Sequence, residues 1–283
     1  MLVAMPSGVK KQTDTREAGK QGLITGGSAG LGLAIARAAA AQGMRLTLVG
    51  RDAQRLEAAC EEISHRFPQS ECHGITADLA VSGEASRVVA EASTDQPLDF
   101  VCHAAGLSAR GRVVDTPRAE FERLMAINFF AAAELAAAVG ERLAERGGRL
   151  VLIGSLATRV APGYLGAYPA SKHSLAALAQ QLRMELGPQG LKTLLVCPGP
   201  IARDDAGTRY DDQANGLPES ARRPGGGAKV KAIDPTWLAE RILRDSRRGR
   251  SELVTPTKAR LLFVLSQISP SLGDWLLRRQ MKP

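Results

Sequence analysis

A chain of 283 residues with 44% hydrophobic residues can bury one sizeable core, and two large domains are not expected. An aromatic content of 4% with 29 glycines speaks against an all-β sandwich and for alternating strands and helices, and the composition excludes disorder over most of the chain. Lys and Arg outnumber Asp and Glu by 37 to 29; the net charge of +8 suits an anionic cofactor or membrane, and no interleaving of aromatic and basic residues points to nucleic acid.

The first nineteen residues, with Lys10, Lys11, Asp14, Arg16 and Glu17, form a polar leader without the apolar core of a signal peptide and are expected to be disordered. No uninterrupted span reaches membrane-crossing length. Cys60, Cys72, Cys102 and Cys197 are scattered without close pairs in sequence. Neither a disulfide framework nor a Cys-x-x-Cys metal knuckle is expected, and a reducing, cytoplasmic compartment is the simpler reading.

From Gly22, short apolar runs alternate with stretches of helical period. Strands are predicted at Gly22–Thr25, Arg45–Val49, Gly74–Ala77, Leu98–His103, Arg149–Ile153 and Leu191–Cys197. Helices are predicted at Leu31–Gln42, Gln54–His65, Gly83–Ala92, Pro117–Glu145 and Ala170–Leu186. The expected fold is α/β: a doubly wound parallel sheet between two helical layers, one domain over residues 20–256 with a C-terminal helical appendage. From Ala202 to Asp234 the chain turns polar and glycine-rich, and its place after the sixth strand suggests a lid over a substrate. A helix at Pro235–Ser246 and a short strand at Glu252–Thr255 follow.

The amphipathic tail at 257–283 is split by Pro270 into two short helices. Its apolar residues, with Lys258, Arg260, Arg278 and Arg279 around them, admit three placements: over the cleft, between subunits, or in a membrane interface.

The first strand runs into Thr25-Gly26-Gly27-Ser28-Ala29-Gly30-Leu31-Gly32 and then into an Ala-rich helix. Glycines let the backbone approach a pyrophosphate, and the helix N-terminus offers unpaired N–H groups, so this loop is a candidate dinucleotide cradle. The second strand ends at Gly50 where an acid would receive the 2′-hydroxyl of NAD(H). Arg51 follows and can pair with a 2′-phosphate, which favours NADP(H) over NAD(H), while Asp52 suits an N-cap. Tyr168 and Lys172, four apart, share a helical face. An ammonium beside a phenol favours the phenolate, so the pair can exchange a proton nearer neutrality than phenol alone. Ser155 ends a strand where ligands bind in such sheets.

With these motifs in this order, the sequence over Lys20 to Ile201 resembles the classical short-chain dehydrogenase/reductase family. Thr25, Gly26, Gly30 and Gly32 fit its glycine loop; Tyr168, Ser171 and Lys172 fit its Tyr-x-x-Ser-Lys; Ser155 and Asn128 hold its serine and asparagine positions. The resemblance further implies that Asp78 and Leu79 meet the adenine and that Pro198, Gly199 and Ile201 touch the nicotinamide. Ser28, Leu31, Ala105 and Gly106 complete the expected cofactor contacts. It implies Tyr168 as general acid and base, Ser155 holding the carbonyl oxygen, Lys172 tuning Tyr168 and bonding the nicotinamide ribose, and Asn128 positioning a water behind Lys172. A homodimer or homotetramer paired through the two long helices is also implied.

Two positions depart from the family. His103-Ala104 replaces its Asn-Asn, with His103 either a substitute donor or a satisfied core histidine, and Arg203 stands where many members carry Thr. The altered His103 segment leaves open a second class, a nucleotide-binding regulator of weak activity. Leu156, Val160, Pro162, Tyr164 and Leu165 suggest an apolar wall for a lipophilic carbonyl or alcohol substrate, while Arg110, Arg112, Arg203 and Arg209 could face the same cleft.

Overall fold

A computed structural model describes residues 16–203, 210, 213–223 and 231–281. Its elements follow the predicted order. They are β1 (Gln21–Thr25), α1 (Gly30–Ala40), β2 (Arg45–Gly50), α2 (Ala53–Arg66), β3 (Cys72–Thr76), α3 (Glu84–Ala92), β4 (Phe100–His103), α4 (Arg118–Met125) and α5 (Ala131–Glu145). Then come β5 (Arg149–Ile153), α6 (Tyr168–Glu185), β6 (Lys192–Pro198), α7 (Glu219–Arg222), α8 (Pro235–Arg247), β7 (Glu252–Thr255), α9 (Ala259–Ile268) and α10 (Pro270–Met281). The seven strands form one sheet in the order β3-β2-β1-β4-β5-β6-β7, every pairing parallel. The order reverses between β1 and β4, and in such sheets the crevice beyond the strand ends at that point is where ligands bind.

Successive strand residues point to opposite faces, so each strand divides its side chains between two cores. Leu150 and Leu152 of β5 join the core under α3, α5 and α6, whereas Val151 and Ile153 join the one under α1, α2 and α8. Because both faces are covered, the strands read as continuous apolar runs, and their existence was legible from sequence.

Several expectations change in detail. The predicted helix Pro117–Glu145 contains a π-helical turn at Ala126–Phe130 between α4 and α5. Together Arg118–Glu145 makes a helical run long and apolar enough to span a membrane, contrary to the sequence reading. Half of its most apolar 18-residue stretch is buried, with Leu135, Val139 and Leu143 packed on the sheet, which is the behaviour of a core helix. The ordered domain begins before residue 20. Glu17 is fully buried, both its oxygens accept 2.8 Å bonds from Arg149, and Arg247 adds a third at 2.9 Å. Burial alone would raise the Glu17 pKa, but Arg149, Arg247 and Lys20 outweigh it and hold the carboxyl below its usual range. Residues 1–15 of the leader lie outside the described residues.

Cys60 on α2 and Cys72 on β3, twelve apart in sequence, bring their sulfurs to 3.1 Å as free thiols, a proximity that sequence spacing alone did not suggest.

The segment expected as a lid lies partly outside the described residues, at 204–209, 211–212 and 224–230. Its described parts pack against the loop after β4. Ala214 and Ala221 are fully buried, Arg110 donates Nε–H to the Ala221 carbonyl at 2.7 Å, and Gln213 Oε1 accepts the Arg110 amide at 3.1 Å.

Candidate active site

The strand ends, the loops after them and the start of α6 enclose a cleft of about 460 Å³ at the carboxyl side of the sheet. That volume is within the range of small-ligand sites. One wall is the glycine loop. Gly26 and Gly30 take left-handed backbone angles (φ +65° and +54°) that L side chains rarely adopt. A Cβ at Gly26 would come within 2.9 Å of the Ala105 amide, and one at Gly32 would run into the Gly26 carbonyl. Gly30, Leu31 and Gly32 line the cleft, the two glycines with bare backbone.

Thr25 and His103 brace this wall from behind. Thr25 Oγ1 accepts the Ala105 amide at 3.1 Å and lies 3.0 Å from His103 Nδ1, while His103 Nε2 lies 3.2 Å from the Ile127 carbonyl. The Ile127 carbonyl can only accept, so Nε2 carries the proton and Nδ1 accepts the Thr25 hydroxyl. His103 is therefore a satisfied core histidine that ties β1, β4 and the π-helical turn. Burial and the nearby Lys172 charge push its pKa down to about 3, against a smaller opposing effect of the Ile127 carbonyl.

Across the cleft stand Ser155, Tyr168 and Lys172. Ser155 lies two residues beyond the end of β5, and its Oγ also caps a short 3₁₀ turn by accepting the Ala157 amide at 3.1 Å. Tyr168 is the first residue of α6, so Lys172 one turn on lies on the same side. The Lys172 Nζ donates to the Ile153 carbonyl at 2.9 Å, and burial lowers its pKa from 10.5 to about 8.

Asn128, fully buried in the π-helical turn, does not line the cleft. Its Nδ2 donates to the Leu107 carbonyl and to Ser171 Oγ, both at 2.9 Å, and its Oδ1 accepts the Leu107 amide at 2.9 Å. Ser171 Oγ donates in turn to the Tyr168 carbonyl at 2.8 Å. Through these bonds the amide clamps the loop after β4 to the first turn of α6. A side chain at Gly106 would collide with it, the Cβ falling 2.7 Å from Asn128 Oδ1.

The family model for short chain dehydrogenases matches residues 20–214. The chain belongs to that family. A short-chain type dehydrogenase/reductase of Helicobacter pylori, VdlC, is 29% identical over 259 residues, covering 88% of this chain and 93% of that one. A ketoacyl reductase of Nostoc sp., HetN, is 28% identical over 269 residues, covering 92% and 88%. Among solved structures, a short-chain dehydrogenase of Sphingobium yanoikuyae in complex with NADPH superposes with a TM-score of 0.73 at 26% identity, over 90% of this chain and 96% of that one.

Of the residues singled out from the sequence, Gly30, Leu31, Gly32, Gly106, Ser155, Tyr168, Lys172, Pro198, Gly199 and Ile201 share the cleft. Thr25, Gly26 and Ala105 stand behind its wall. Ser28 lies beside the end of β2, its Oγ 3.1 Å from where a Cβ on Gly50 would sit. Arg51 and Asp78 are exposed beyond β2 and β3, and Leu79 is buried. Asp52 serves as the N-cap of α2, accepting the Arg55 amide at 3.1 Å.

The apolar wall is formed by Leu156, Val160, Pro162 and Leu165, while Tyr164 is not part of it. Arg110 and Arg203 line the cleft; Arg112 instead pairs with Asp115 at 3.3 Å, and Arg209 lies outside the described residues. Two contributions were not specified by sequence. Tyr210 lies under the Arg110 guanidinium at 3.6 Å, and the C-terminal hairpin sends Leu262, Phe263 and Leu277 into the cleft. The i, i+3, i+4 apolar spacing of the tail signalled an amphipathic helix, but not which surface it covers.

Proposed function

We propose that the protein is an NADP(H)-dependent oxidoreductase that interconverts a carbonyl and an alcohol on a lipophilic substrate, with Tyr168 as proton donor and acceptor. The observation that carries this reading is that Ser155, Tyr168 and Lys172 open into the same cleft as the bare backbone of Gly30 and Gly32.

The residues present fit a dinucleotide. The glycine wall has no Cβ where a pyrophosphate would approach, α1 begins there, and Arg203 supplies a cation over Gly30. Arg51, with glycine in place of an acid at the end of β2, supports a 2′-phosphate and hence NADP(H). Asp78 and Leu79 would flank the adenine, and Pro198, Gly199 and Ile201 the nicotinamide. When bound, the nicotinamide supplies or accepts the hydride.

In the reducing direction Tyr168 gives its phenolic proton to the carbonyl oxygen, and Ser155 donates a hydrogen bond to that same oxygen. Charge grows on the oxygen as the bond order falls, so these fixed donors stabilise the transition state more than the bound substrate. Lys172, charged below about pH 8, favours the phenolate that remains and can bond the nicotinamide ribose. Asn128 holds the first turn of α6 through Ser171, which fixes where Tyr168 begins. In the oxidising direction Tyr168 takes the proton back.

A lipophilic substrate is supported by the wall of Leu156, Val160 and Leu165 facing Leu262, Phe263 and Leu277 across the cleft. The likeness to a ketoacyl reductase points the same way. Phe130 and Met184, exposed on the long helical run and on α6, support pairing of two copies through these helices.

The test is to follow NADPH absorbance with a panel of aldehydes, ketones and secondary alcohols graded by chain length, repeated with NADH. Turnover that rises with apolar size and prefers NADPH is expected; a protein that binds the nucleotide but turns over none of the panel would overturn the reading.

A further inference from the structure

The C-terminal hairpin has two faces with opposite surroundings. α9 and α10 meet closely at Gly273, where a Cβ would stand 2.5 Å from Ser266 Oγ. Toward the protein, Leu262, Phe263 and Leu277 line the cleft. Toward solvent, Leu261, Val264 and Ile268 recur at i, i+3 and i+7 along α9, and Leu272 and Trp275 at i and i+3 along α10. These five are 65%, 53%, 76%, 39% and 52% exposed. Among the described residues, five of the eleven exposed large apolar side chains fall on this one hairpin. A soluble surface scatters such residues singly, and a concentration of them marks an interaction site.

The charges identify the occupant. Residues 257–283 carry five Lys or Arg and one acid, Asp274, which pairs with Arg278 at 3.6 Å. Arg260 stands at the start of α9, its guanidinium also donating to the Glu252 carbonyl at 3.3 Å, and Arg278 and Arg279 stand at the end of α10, with Arg279 5.4 Å from the Trp275 ring; Lys258 faces the cleft. An apolar stripe bordered by cations, with a tryptophan beside an arginine, is complementary to the acyl boundary of a bilayer with anionic headgroups. A second copy of the same face would set like charges against each other, which disfavours it as the occupant.

We propose that the outer face of the α9–α10 hairpin docks on an anionic lipid bilayer, so that the hairpin stands as the wall between bilayer and cleft. Docking follows from the outer face alone. The consequence that an apolar substrate reaches the cleft from the bilayer rests on the reading of the cleft under Proposed function.

The experiment uses the full chain and vesicles of phosphatidylcholine alone or mixed with phosphatidylglycerol. The wild type is expected to sediment with the mixed vesicles, less so at high salt, and the triple variant Leu261→Ser/Ile268→Ser/Trp275→Ser to lose roughly tenfold or more of that affinity. The chain has two tryptophans, so Trp237→Phe leaves Trp275 as the sole reporter, and its emission is expected to shift to the blue with mixed vesicles. None of the three substituted residues lines the cleft, so the triple variant keeps its turnover of a small water-soluble carbonyl, which shows that it is folded. Equal vesicle binding by wild type and triple variant overturns the proposal. So does self-association of the wild type, lost in the triple variant, without vesicle binding. Loss of turnover throughout the carbonyl panel, with vesicle binding intact, rejects the enzymatic reading and leaves the docking surface standing.

Discussion

The guanidinium of Arg203 lies over Gly30, its Nη2 3.2 Å from the point a Cβ on that glycine would occupy. Gly30 opens α1, whose unpaired amides already favour negative charge, and a cation beside the same point adds to that preference. The expected anion is the cofactor pyrophosphate. Arg203→Ala is therefore expected to weaken NADPH binding by roughly 10- to 100-fold, the worth of one charge-assisted contact. It also flattens the dependence of that binding on salt, whereas Arg203→Lys recovers part of it. Fluorescence titration of NADPH with each variant reads both effects, and unchanged affinity in Arg203→Ala would show that the guanidinium serves something else.

Tyr168→Phe keeps the ring at the head of α6 and removes the proton. Turnover is expected to fall on the order of 100-fold or more. The NADPH dissociation constant, measured by the same titration, is expected to move little. Comparable turnover would reject Tyr168 as the proton donor.

His103 confers acid sensitivity. Its pKa is near 3 in the folded chain and near 6.5 when exposed, so below pH 6.5 the unfolded chain takes up a proton that the native chain does not. Stability then falls as the pH drops from 6.5 toward 3, by about 1.4 kcal/mol per pH unit from this group. His103→Asn removes the titration. Urea unfolding across this range is expected to give the variant a shallower acid limb, differing from wild type by about 2 to 3 kcal/mol near pH ~4.5; parallel limbs would contradict the assignment.

Glu17 holds Arg149 in the interior, the arginine being only 4% exposed. Glu17→Ala leaves that guanidinium buried without its partner and is expected to cost about 3 to 5 kcal/mol in urea unfolding. Starting the chain at Lys20 should cost a similar amount. An effect below about 1 kcal/mol would mean that water reaches Arg149 once the carboxylate is gone.

The alternating strands and helices, the glycine loop and the Ser155, Tyr168 and Lys172 set were legible in the sequence because each is a local signal. A parallel sheet covered on both faces turns its strands into apolar runs, and a cradle for phosphate needs glycines at fixed spacing. Four features were decided only by the tertiary structure: the burial of Glu17, the approach of Cys60 to Cys72, the seating of Arg203 over Gly30, and the division of the tail into a cleft-lining face and an outward one. Each joins residues far apart in sequence or depends on which surface an amphipathic helix covers. Periodicity reports that a helix has an apolar side, but the partner of that side is chosen by the packing of the whole chain. The π-helical turn at Asn128 belongs with them, because its extra residue is stabilised by Leu107 and Ser171, which only the folded chain brings to it.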